Sequence, residues 1–266
     1  MVVYAGQGDA RWSMDVLWGT RPDGQRPGPK QGLTVDLILD AAIEVADAEG
    51  MAGLSMRAVG LRLGRTAMSL YTYVPTKGDL VDLMYDRVLK ELPTRYESED
   101  GWRAPLTSWA EDNLEFHLRH PWTLQVSQAR PVLGPNEFAT LETVSRILHG
   151  TGLPPRALRG ILGVALNFVR GAARTVAEAR AAAATTGVSD EEWWYSRSPL
   201  LAEVAPDFAD RFPMALRMES GKPAPPEDPE KPYQETAMAE SFTVGLGVVL
   251  DGIEATIAKA GERSRD

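Results

Sequence analysis

In a chain of 266 residues with a formal charge of −9, no aspartate or glutamate stands between Glu49 and Asp79. That gap constrains the fold most, because the residues that fill it are patterned. Met56, Val59, Leu61 and Leu63 suit the apolar face of a short helix, Gly64 can take the φ > 0 conformation of a tight turn, and Thr66 is a good N-cap for a second helix. Arg57, Arg62, Arg65 and Lys77 add four positive charges that nothing in the window opposes. Two short helices, a turn and a locally basic surface describe a helix-turn-helix. A surface that lies against phosphates needs this imbalance, since neutralising phosphates and releasing their counterions supplies most of the sequence-independent affinity. The competing interpretation is a solvated hairpin whose charges happen to be basic.

The flanks favour the first reading. Upstream, Thr34 is an N-cap, Asp36 lies in the first turn and Gly50 ends the helix, with Leu37, Ile38, Ala41, Ala42, Val45 and Ala48 as its apolar face. Downstream, Thr76 and Asp79 are spaced like a capping box, and the helix they open continues through Val81, Met84, Val88 and Leu89 to Pro93.

These residues carry a resemblance. The run Ile38-Leu39-Asp40-Ala41-Ala42, Gly50, Leu54-Ser55-Met56-Arg57, Leu63-Gly64, Ser69-Leu70-Tyr71-Thr72-Tyr73-Val74 and Lys77-Gly78-Asp79-Leu80 closely resembles the DNA-binding domain of the tetracycline-repressor (TetR) family, over about residues 33 to 92. The resemblance implies an all-α regulator: a three-helix helix-turn-helix reader of operator DNA, joined to a helical domain (93–266) that dimerises and binds a small-molecule effector. It implies that Arg57 approaches a base from the first helix of the motif, and that Ala67 and Met68 begin the recognition helix. Tyr71, Tyr73 and Lys77 match positions that hold phosphates or neighbouring bases, while Leu70 and Val74 match core positions. Ala67 and Met68 depart from members with an amide there and offer only apolar contact, for example to a thymine methyl. Base choice then rests on Arg57, Thr66, Ser69 and Tyr73. Tyr71 and Tyr73 could instead be ordinary core aromatics.

The first 32 residues are expected to form a flexible basic arm, with Arg21, Arg26 and Lys30 before the first helix. In the family such arms can follow the minor groove. Trp12 and Trp18 beside Met14, Val16 and Leu17 are more apolar than a simple tail requires.

Composition agrees with this organisation. The chain is too long for the reader alone, and 44% hydrophobic residues suffice for two helical domains. The acidic total does not oppose DNA binding, because the basic window is local. Without cysteine there is no disulfide or thiolate chemistry. No cleavable leader and no run of 18 apolar residues is evident, so a cytoplasmic protein without membrane association is expected.

After Pro93 the pattern stays helical, with helices expected at about 103–119, 121–128, 136–150, 155–183, 190–203, 207–217 and 234–260. The Pro-rich stretch 220–232 is expected to be a mobile loop. The 155–183 helix and the last helix, rich in apolar and small residues, are the candidate homodimer surface. A dimer would set two recognition helices ~34–36 Å apart and require a palindromic operator.

For the effector, Trp109, Asn113 and His117 recur at i, i+4 and i+8, and Asn167, Phe168, Arg170 and Arg174 could face them. Interior or interface polar residues would read the same way. No carboxylate sits one turn before His117 or His120 and there is no cysteine, and their place at a helix end suits the helix dipole, so no metal or cofactor is expected. No phosphate loop or nucleophile motif points to an enzyme. Three functions remain: a ligand-released repressor, an activator or corepressor-dependent regulator of the same fold, and a small-molecule carrier that has lost DNA binding.

Overall fold

A computed structural model describes residues 2–20, 32–97, 101–221 and 233–263. Helix α1 (Ala10–Leu17) is followed by four helices that form the reader: α2 (Val35–Gly53), α3 (Met56–Arg62), α4 (Ala67–Tyr71) and α5 (Lys77–Leu89). Each begins at a hydroxyl cap that accepts a first-turn N–H: Thr34 from Leu37, Ser55 from Ala58, Thr66 from Ser69 and Thr76 from Asp79. Gly50 at φ 67° breaks the end of α2, and Gly64 at φ 63° makes the α3–α4 turn. Ile38, Ala42, Val45, Leu54, Val59, Leu70, Val74, Leu80 and Met84 close the core between them. Burial on α2 is shifted from the expected face. Leu37 and Ala48 are exposed, and Leu39 and Ala46 are inside, because α5 and a 3₁₀ turn at Pro121–Gln125 both pack on this helix. Leu61, expected inside, is 71% exposed.

Helices α6 (Arg103–Arg119), α7 (Pro135–His149), α8 (Pro155–Thr186) and α12 (Tyr233–Arg263) build a second core from Leu106, Trp109, Val144, Leu148, Val169, Phe242, Leu246 and Ile253. Between α8 and α12 lie α9 (Asp190–Val204), α10 (Phe208–Arg211) and α11 (Pro213–Glu219), which bury no side chain. The expected 207–217 helix is two helices, because Phe212 leaves helical geometry ahead of Pro213, which has no N–H to donate. The expected 121–128 helix is a 3₁₀ turn, Pro121–Gln125. Among the described residues there is no strand, only one isolated bridge between Val3 and Val126.

The N-terminal segment is not a free arm over residues 2–20. Ala5 is fully buried, Gly6 N–H donates to Asp82 (2.9 Å), Ser13 Oγ donates to Asp79 (2.9 Å) and Trp18 Nε1 donates to Leu133 O (3.0 Å). The apolar residues flagged in this segment dock it along α5 and onto the start of α7. Arg21, Arg26 and Lys30 lie outside the described residues, as does the expected loop from 222 to 232.

The two cores meet through specific polar contacts. His120 sets one ring nitrogen 2.8 Å from Asp47 and the other 3.1 Å from Glu91, and Trp122 Nε1 also donates to Asp47. Burial alone would raise the Glu91 carboxyl, but hydrogen bonds and charge from His120 and Arg119 outweigh it and hold it low. On the other side, Asp86 of α5 accepts the N–H groups of Asn136 and Glu137, capping α7 from the reader's own last helix. Asp86 also explains Gly134, where a β-carbon would stand 2.1 Å from the carboxylate.

Candidate DNA-reading face and effector cavity

The turn brings α3 and α4 so close that a β-carbon on Gly60 would stand 2.8 Å from Arg65 O. Leu70 and Val74, both fully buried, hold α4 onto the reader core. The opposite side of α4 faces solvent: Met68 is 75% exposed, and Tyr71 and Thr66 are exposed. Arg57 and Lys77 are exposed nearby, whereas Ala67, Ser69 and Tyr73 are half-buried, with Ala67 and Tyr73 against the core. Ser69 Oγ donates to Thr66 O (2.7 Å), so part of its polar capacity is used in the cap. Among the described residues Arg57, Arg65 and Lys77 form no ion pair, while Arg62 is paired with Glu44.

A cavity of about 270 Å³ opens between α5, α6, α7, α8 and the segment after the 3₁₀ turn. Tyr85 and Leu89 of α5, Trp109, Asn113 and His117 of α6, Gln128, Phe138 and Leu141, and Leu162, Leu166 and Arg170 of α8 stand in its wall. Four of the sequence-predicted residues are thus brought together: Trp109, Asn113, His117 and Arg170. Three are not. Asn167 is exposed, Phe168 stacks on Phe242 (5.3 Å between centroids) in the α8–α12 contact, and Arg174 sits one turn beyond the cavity, paired with Glu178. Leu162, Leu166 and Arg170 recur every fourth residue, so the face of α8 that holds them turns Asn167 and Phe168 elsewhere. Tyr85, Gln128 and Phe138 were not legible, since no periodicity within one helix says which other helix it will face.

Some polar groups of the cavity are tied down. Asn113 Nδ2 donates to Trp109 O (2.7 Å), and Gln128 Nε2 donates to Tyr85 Oη (3.0 Å). Burial raises the Tyr85 hydroxyl pKa and lowers that of Arg170. Burial, then the Arg170 charge, lowers His117 to about 3, so its imidazole is neutral at physiological pH. Among the described residues no three His, Cys, Asp or Glu side chains gather as metal ligands.

A helix-turn-helix reader with a hollow helical body attached defines a class, the one-component DNA-binding regulators. Residues 38–84 match the family model for bacterial regulatory proteins of the tetR family, and residues 93–257 match the tetracyclin repressor-like C-terminal domain. The chain belongs to the TetR family. It is 38% identical over 258 residues to the HTH-type transcriptional repressor DrrR1 of Streptomyces coeruleorubidus, covering 96% of this chain and 89% of that one. It is also 38% identical, over 120 residues, to an HTH-type transcriptional regulator of Saccharopolyspora erythraea, covering 45% of this chain and 51% of that one. The fold is similar to that of ActR from Streptomyces coelicolor in complex with actinorhodin (TM-score 0.65, 22% identity, 85% of this chain and 97% of that one).

Proposed function

We propose that this chain is a cytoplasmic homodimeric repressor, not an enzyme, that holds a palindromic operator until a small molecule fills the cavity. The observation that carries this reading is the position of α5. It runs from the end of the reading motif into the cavity wall at Tyr85 and Leu89, so an occupant touches the helix that orients the reader. A ligand that fits only one orientation of α5 shifts the population toward it. On the DNA side, Arg57, Thr66, Ala67, Met68, Ser69 and Tyr73 address bases, and Tyr71 and Lys77 hold the backbone. Similar proteins support the two halves separately: DrrR1 is named a repressor, and ActR structures hold actinorhodin or (S)-DNPA.

The dimer surface is the outer face of α8 and α12. Val164, Val244 and Val248 are exposed there, and nothing lies within 4 Å of where a β-carbon would stand on Gly160, Gly163 or Gly247. This outer face also accounts for an unexpected property of α12. Its segment Ala237–Glu262, in which an 18-residue stretch reaches a mean hydropathy of 1.4, is long and apolar enough by length and composition to cross a membrane. Polar residues such as Thr243 interrupt it, so a scan for consecutive apolar residues passes over it. Apolar residues on two sides of one helix suit a helix packed on α8 and on a second copy.

The test is a fluorescence-anisotropy titration on the DNA upstream of the chain's own gene, against scrambled DNA, at two salt concentrations. Selective binding by a dimer supports the reading; salt-sensitive binding without selectivity at this and other candidate operators sinks it. Val248→Arg should convert the dimer to monomer in sedimentation and abolish selective binding.

A further inference from the structure

The cavity wall carries three polar groups whose hydrogen-bonding capacity the protein leaves partly or wholly unused. Arg170 is half-buried; one terminal nitrogen reaches the carbonyl oxygens of Thr123, Leu124 and Val126 at 3.3–3.4 Å, and the guanidinium also bonds the neutral Tyr85 hydroxyl. No carboxylate among the described residues lies within ion-pair distance of it. A desolvated guanidinium without a counter-ion is costly, and it is retained where an anion will meet it. Trp109 is 1% exposed, and its indole N–H has no acceptor among the described residues. An interior donor left unmatched costs ~1–3 kcal/mol and calls for an explanation.

The third group is His117, and its tautomer follows from its neighbours. Thr123 Oγ1 lies 2.8 Å from His117 Nδ1 and spends its single proton on His120 O at 2.7 Å. The threonine oxygen must therefore accept from His117, which puts the proton on Nδ1. Since the imidazole is neutral, Nε2 is left as a lone-pair acceptor with no partner among the described residues. Around these groups the wall is apolar: Leu141, Val144, Leu162, Leu166, Phe138 and Phe116. A cavity of ~150 Å³ takes one benzene ring, so about 270 Å³ has room for about two or three fused rings. The wall also contains one carboxylate, Glu137, which already accepts the Leu133 N–H at 2.8 Å.

From these observations we propose that the effector is an acidic, hydroxylated aromatic compound. Its anionic oxygen, a carboxylate or phenolate, pairs with Arg170 and accepts from Trp109 Nε1, and its hydroxyl donates to His117 Nε2. The ring system fills the apolar wall between α7 and α8. This inference rests on the effector reading above and adds the ligand's charge and donor pattern to it.

Three probes test it by isothermal titration: 3-hydroxy-2-naphthoate, its methyl ester and 2-naphthol. The acid should bind the wild-type dimer about tenfold or more tightly than the ester, the range expected when a hydrogen bond to a charged group is lost. Arg170→Met should remove that preference while changing the affinity for 2-naphthol less than about threefold. Arg170→Gln serves as a second variant if the first does not fold, and His117→Phe should weaken all three hydroxylated probes while sparing naphthalene, added as a fourth. Equal affinity for acid and ester, no binding of the acid at millimolar concentration, or a parallel loss of all probes on removing Arg170 overturns the proposal. Release of operator DNA is read on the same samples. If the acid binds with the expected pattern and the DNA stays bound, the ligand class stands and the effector-released repressor reading fails.

Discussion

Both working surfaces of this molecule present cations that pair with no carboxylate among the described residues, one set in water and one largely out of it. On the DNA face, Arg57, Arg65 and Lys77 stand exposed, where an unpaired cation costs almost nothing and is screened within ~10 Å at 0.1 M salt. In the cavity, Arg170 stands among Leu162, Leu166 and Tyr85, where the same charge is expensive and barely screened. The exposed set supplies affinity for any polyanion and must borrow selectivity from the geometry of α4. The buried one binds little else than the ligand that repays its desolvation. General affinity and specific recognition are thus built from the same side-chain type by changing only its access to water.

The largest effect should come from Arg57, the exposed cation proposed to approach a base. Arg57→Ala is expected to cost ~1–3 kcal/mol on the cognate operator and much less on random duplex, so the selectivity ratio falls. Competition anisotropy with both DNAs measures it; equal losses on the two would place Arg57 on phosphate and blur the division between reading and holding.

A buried anion provides the opposite-sign control. Asp82 accepts Gly6 N–H through Oδ2, but its Oδ1 is buried and has no partner among the described residues. Burial first, then Asp79 and Glu137, raises its pKa to about 6 from 3.8. The folded state therefore holds this proton between about pH 4 and 6 while the unfolded state has released it, so stability falls as pH rises through that window. Asp82→Asn keeps an acceptor for Gly6 and removes the charge. Urea melts should show the variant gaining of order 1–3 kcal/mol over wild type between pH 4 and pH 7. A constant difference across pH would mean that the charge is not what strains this site.

The next effect is smaller and uniform. Lys77→Ala should lower affinity for cognate and random DNA alike and reduce the slope of log K against log salt by about 1. Unequal losses would show that this lysine reads sequence.

What the sequence disclosed divides along the same line as the charges. The reader was legible nearly residue by residue, because its caps at Thr34, Thr66 and Thr76, its turn at Gly64 and its core at Leu70 and Val74 are all local signals. Its close approach at Gly60 depends on Arg65 O coming back toward α3, which no spacing announces. In the cavity, Trp109, Asn113 and His117 were found because they recur along one helix face, and Arg170 because it shares a helix with other polar residues. Tyr85 and Gln128 were missed, since their role depends on which helices meet. The docked N-terminal segment was half-legible: its tryptophans marked it as apolar, but the carboxylates that receive it, Asp79 and Asp82, lie more than sixty residues away.

The smallest effect should come from Arg62, and it sharpens the comparison most cheaply. By sequence it is one of four basic residues in an acid-free window, equal in standing to Lys77. In the fold Glu44 of α2 pairs with it, so its charge is cancelled before DNA arrives. Both partners are about half exposed, and such pairs contribute only ~0–1 kcal/mol to stability. Arg62→Ala should then leave the salt slope of DNA binding unchanged, in contrast to Lys77→Ala, and lower the melting midpoint slightly. Glu44→Ala makes the reverse test: freeing the Arg62 guanidinium should steepen the slope by up to about 1 if α3 brings it within reach of a phosphate. A slope that falls with Arg62→Ala as much as with Lys77→Ala would show that the pair opens on DNA, and that the acid-free window, not the paired geometry, sets the charge DNA sees.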